Sequence, residues 1–64
     1  MTKIQQLKKI VADCQHAKVD GVDVDLFTAS AVVQVHDALN ETNQAKFVSL
    51  DIMKMVDLTW KLVA

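Results

Sequence analysis

Apolar residues recur at Ile4, Leu7, Ile10, Val11 and Cys14, with Lys3, Gln6, Lys9 and Asp13 between them. Spacings of three and four put the first set on one side of a helix and the second on the other, so the pattern predicts helix from residue 3 to about 17. Thr2-Lys3-Ile4-Gln5 has the order of a capping box, in which the Thr hydroxyl accepts from the amide three residues on and the Gln side chain reaches back. The period then changes. Asp20-Gly21 is a turn signal, and Val22, Val24 and Leu26 alternate with Asp23 and Asp25, which predicts a short extended run before the next helix. A Val19/Val22 hairpin around Asp20-Gly21 would be marginal alone.

Asp25 is placed to cap a second helix running to about Leu39. At about 100° per residue its apolar positions fall into two arcs. Phe27, Ala31, Val32, Val35, Ala38 and Leu39 make the broader one, assigned to the core. Leu26, Ala29 and Val33 make a second; Ser30, Gln34 and Asp37 separate the two on one side, and His36 borders the second on the other. Asn40 can cap a short third helix with Glu41 in its first turn, and Ser49 or Asp51 a fourth over about 51 to 63. In that last helix Lys54, Asp57 and Lys61 share a narrow polar face, leaving Ile52, Met53, Met55, Val56, Leu58, Trp60, Leu62 and Val63 around the rest. A surface helix needs a narrower stripe than this.

Composition sharpens the point. The 64 residues suit one domain, and a chain of this size buries only about 60% of the surface its unfolded form exposes. Yet 52% of the residues are hydrophobic, more than a thin core uses, and self-association is the simplest outlet. The expectation is an all-α fold, one domain over 1–64 with three main helices and one short one, assembled as a homo-oligomer. Leu26, Ala29, Val33, His36, Met53 and Trp60 are the expected interface.

Charge and chemistry exclude more than they suggest. Formal net charge is −1, and all seven basic residues are Lys, so the side chain best suited to bidentate phosphate or base recognition is absent. Nucleic-acid binding is not expected. No apolar run approaches the roughly 18 residues of a membrane span, and the N-terminal stretch breaks its apolar run with polar residues as a signal peptide does not. Cys14 is the single cysteine, which rules out an intrachain disulfide and suits a reducing cytoplasmic setting. It is expected in the core, as a small hydrophobe.

Asp20, Asp23 and Asp25 do not follow an EF-hand loop, because His16 and Lys18 stand where acids should precede the glycine. Turn formation and capping account for them, and no metal or cofactor is expected. Cys14 and His16 are two residues apart and point to different helix faces, so they make no nucleophile and base. No catalytic residue emerges, and the chain does not read as an enzyme. Thr28, Ser30 and His36 are candidates for a ligand cleft between subunits.

The stretch VDLFTASAVVQVHDALNETNQAKF (24–47), with the Asp20-Gly21 turn before it and MKMVDLTWKL (53–62) after it, resembles a group of small hypothetical proteins encoded by tailed bacteriophages. No activity attaches to that group, so the resemblance implies no functional residue. It does imply expression in the cytoplasm of an infected bacterial cell. The expected function is therefore a non-catalytic accessory protein, a homo-oligomeric interaction module binding a host or phage protein. The alternatives are an oligomer that holds a small ligand or signalling nucleotide at a subunit cleft as a counter-defence sponge, and a minor virion component.

Overall fold

The computed structural model describes residues 2–63, arranged as α1 (Lys3–Asp13), β1 (Ala17–Val19), β2 (Val22–Val24), α2 (Leu26–Ala38), α3 (Glu41–Val48) and α4 (Ile52–Val63). Four helices dominate, as expected. A two-stranded antiparallel sheet is added to them, so the fold is mainly helical and not all-α.

The helix starts follow from their caps. Thr2 and Gln5 form the reciprocal capping box. Asp25 Oδ1 accepts from the Thr28 amide at 2.7 Å, Asn40 Oδ1 from Asn43 at 2.9 Å, and Asp51 Oδ1 from Lys54 at 2.9 Å. Each satisfies an amide that the helix itself leaves without a partner.

Helix α1 stops four residues earlier than its periodicity suggests. Cys14 turns into the left-handed region (φ 54°, ψ 37°), its N–H bonding to the carbonyls of Ile10 and Val11, while the Gln15 N–H reaches Ile10 at 3.2 Å. This is a Schellman-type stop without the usual glycine. Cys14 is consequently exposed, its thiol on the Val11 carbonyl, and the expectation that it fills the core is corrected.

The chain's one glycine serves the hairpin instead. Asp20 (φ 51°) and Gly21 (φ 78°) both have positive φ, the signature of the type I′ turn whose twist matches paired strands. The turn sets Val19 opposite Val22 and Ala17 opposite Val24. A hairpin this short is marginal in water. Here Val19 and Val24 are buried in the core, and that burial holds it.

The rest of the core comes from Leu7 and Ile10 of α1, Ala29, Val32 and Val35 of α2, Phe47 of α3, and Ile52 and Met55 of α4. Thr59 is buried too; its hydroxyl donates to the Met55 carbonyl at 2.8 Å. Among the described residues no buried side-chain nitrogen or oxygen lacks a hydrogen-bond partner. The radius of gyration, 10.6 Å, is what a compact chain of this length should have on its own, about 11 Å.

Helix α2 is central, with α1 and α4 both packed on it. Lys8 of α1 reaches Asp37 at 3.6 Å, and Asp37 lies one turn beyond Val33 on the same side of α2. On the other side Trp60 of α4 stacks on Phe27, ring centroids 5.6 Å apart and planes 18° from parallel, one turn before Ala31. The two apolar arcs of α2 therefore serve two neighbours within one chain.

Candidate functional site

Because α1 covers the second arc, several of the expected interface residues are withdrawn from the surface. Ala29 is 0% exposed and belongs to the core, and Val33 is half-buried against that core. Ala29 has no surface left to meet a second subunit, and Val33 keeps only part of its own. His36 sits on the same seam with its side chain 13% exposed, its Nδ1 2.9 Å from Asp37 Oδ1. The Gln44 side-chain amide donates to the His36 carbonyl at 3.0 Å and ties α3 to the end of α2. Asp37 Oδ1 thus faces both His36 and Lys8, and those groups, the His36 hydrogen bond first, hold its carboxyl below the usual range. Of these contacts the Lys8–Asp37 pair is the one that crosses the α1–α2 seam.

Thr28, Ser30 and His36 do not converge in one chain. Ser30 lies well over 90° around α2 from both Thr28 and His36 at about 100° per residue. None of the three lines the groove between α1 and β1 or the one between α3 and α4.

The remaining exposed apolar surface is concentrated in two elements. Leu26 and Phe27 stand in the first turn of α2, and Met53, Leu58, Leu62 and Val63 on α4. Phe27 is 74% exposed, against its assignment to the core arc. The reason is position: as the second residue of α2 it precedes the stretch that its neighbours cover, and Trp60 lies on one face of its ring. Of the expected interface residues, Leu26 and Met53 are on the surface, at 39% and 60%, and Trp60 is half-buried beneath the stack.

On its other flank α4 presents Leu58 and Leu62 across from α3. With Leu39, Phe47 and Leu50 they line a shallow apolar groove of about 280 Å³, edged by Asn43 and Lys46. No sequence signal marks this groove as a whole. Leu58 and Leu62 repeat at four residues, which marks a stripe, but nothing in the sequence says that α3 is too short to cover it.

A second groove, of about 330 Å³, runs between the later turns of α1 and strand β1, and its rim is polar. At the other end of the hairpin the Thr28 amide, with its hydroxyl, holds the Asp25 carboxyl below the usual range, His16 adding a smaller effect. Among the described residues no three His, Cys, Asp or Glu side chains gather as metal ligands, and no helix is long and apolar enough to cross a membrane. Comparison of the chain with protein-family models, curated proteins and solved structures finds no match.

Proposed function

We propose that this protein is a non-catalytic interaction module that pairs with a second copy of itself through the first turn of α2 and the outer side of α4. The observation that carries the reading is the Phe27–Trp60 stack, an aromatic pair whose Phe27 ring is 74% exposed, with Met53, two turns before Trp60 on the same side of α4, 60% exposed. Aromatic and Met side chains are the types that carry binding energy at protein interfaces. A net charge of −1 gives copies of the chain little reason to repel one another. The assembled module then acts on a protein of the infected bacterium or the phage, the setting to which the resemblance of residues 24–47 and 53–62 points.

Sedimentation equilibrium from micromolar to millimolar concentration tests it. The wild type should gain mass with concentration, and Phe27→Asp should stay monomeric with its helicity unchanged. A wild type that remains monomeric throughout rejects the reading.

A further inference from the structure

We propose that the groove between α1 and the outer edge of β1 is a docking site for an extended acidic segment of another protein, added as a third strand. This site is separate from the α4 surface and does not depend on self-association there.

The hairpin register creates the edge. A two-residue turn makes Val19 and Val22 a hydrogen-bonded pair, and Ala17 and Val24 are the next such pair along the antiparallel ladder. Lys18 lies between them, so its N–H and C=O point away from β2. The sheet has two strands, which leaves these groups on a free edge, and an unpaired edge is a template for another chain. Helix α1 supplies the opposite wall. The groove between them, about 330 Å³, has Ile10 and Val19 in its floor and Lys9, Asp13, His16 and Lys18 around its rim.

Charge selects the occupant. The rim carries two ammonium groups and an imidazole against one carboxylate, and Lys18 already faces Asp23 across the hairpin. An acidic residue on an incoming strand meets Lys18 from its other side, as favourable cross-strand pairing requires. A second copy fits less well. Pairing β1 with β1 about a two-fold axis sets Lys18 near Lys18, and pairing β1 with the Asp23 edge of another copy runs head to tail without closing.

The test is an amide-shift titration of the labelled protein with a capped peptide alternating valine and glutamate, and with its valine-lysine counterpart. Saturable shifts at Lys9, Ala17, Lys18 and Val19 with the acidic peptide alone are expected. Lys18→Glu should weaken binding about tenfold, the loss of one charge-assisted contact. Lys18→Pro should remove it while keeping the hairpin, because the Lys18 N–H is not used to hold β2. No saturable shift, an equal response to both peptides, or shifts centred on α4 overturns the proposal; the last of these points to the surface proposed above. Concentration-dependent mass that Lys18→Pro abolishes also overturns it and assigns the edge to a second copy.

Discussion

Helices α2 and α4 are both apolar around more than half of their circumference, yet they end in opposite situations. In α2 the second arc beyond Leu26 is closed by the chain itself: Ala29 is fully buried and Val33 half-buried on the side where Lys8 meets Asp37. In α4 the inner line of Ile52, Met55 and Thr59 is buried, while Met53, Leu58, Leu62 and Val63 stay exposed on its flanks. The difference is one of place. A helix between two others uses both sides; a helix at the margin uses one. Surplus periodicity in a sequence therefore shows that a second neighbour is needed, and topology decides whether the chain provides it.

The strongest way to break this comparison is to place a charge on covered and on uncovered apolar positions. Ala29→Asp buries a carboxylate without a partner, at a cost of about 3–5 kcal/mol. A domain of this size has about that much stability in total, so the variant should be unfolded at 25 °C by circular dichroism. Val33→Asp, half-buried on the same seam, should lose about 2–3 kcal/mol in urea denaturation. At the exposed start of α2 Phe27→Asp should lose only about 1 kcal/mol, the order of the ring pair it gives up, while altering the sedimentation mass. Equal losses for Val33→Asp and Phe27→Asp would erase the distinction between covered and uncovered apolar positions.

Backbone changes next to the seam have intermediate effects and sharpen the picture of how α1 is held. Cys14→Gly should gain about 1 kcal/mol, since glycine adopts the left-handed stop of α1 without a Cβ penalty. Gly21→Ala should lose about 1–2 kcal/mol in the same assay. A Cβ at Gly21 meets nothing within 4 Å, so that loss measures the positive φ alone.

Much of this fold is legible in the sequence because helix starts are local. Thr2, Asp25, Asn40 and Asp51 are small polar side chains next to apolar-periodic runs, and each accepts the amide three residues on. What is not legible is set by contacts distant in sequence. Cys14 fits the apolar stripe of α1, and only the chain's exit toward β1 turns it outward. Val19 and Val22 spell a marginal hairpin until the core shelters Val19 and Val24. The two arcs of α2 are visible as arcs, but their occupants are chosen by α1 and α4. Phe27 shows the limit most clearly, since its place in the wheel is a core place and its place in the chain is at the end of the helix.

The smallest expected effect is the pH dependence of the two ends of α2, and its sign follows from the carboxylates there. Asp25 is held below the usual carboxylate range by the Thr28 amide and hydroxyl, and Asp37 by His36 and Lys8. A carboxyl depressed in the folded state contributes stability in full above its unfolded pKa, about 3.9, and loses it as pH falls through the lower folded value. Both groups are at the surface, so solvent screening keeps each contribution modest. Urea midpoints should therefore be flat from neutral pH to about 5 and decline below about 4. Asp25→Asn keeps an acceptor for the Thr28 amide while removing the titration, and should flatten part of that decline. A decline that Asp25→Asn and Asp37→Asn together leave unchanged would mean that acid acts through other carboxylates, and that neither end of α2 senses pH.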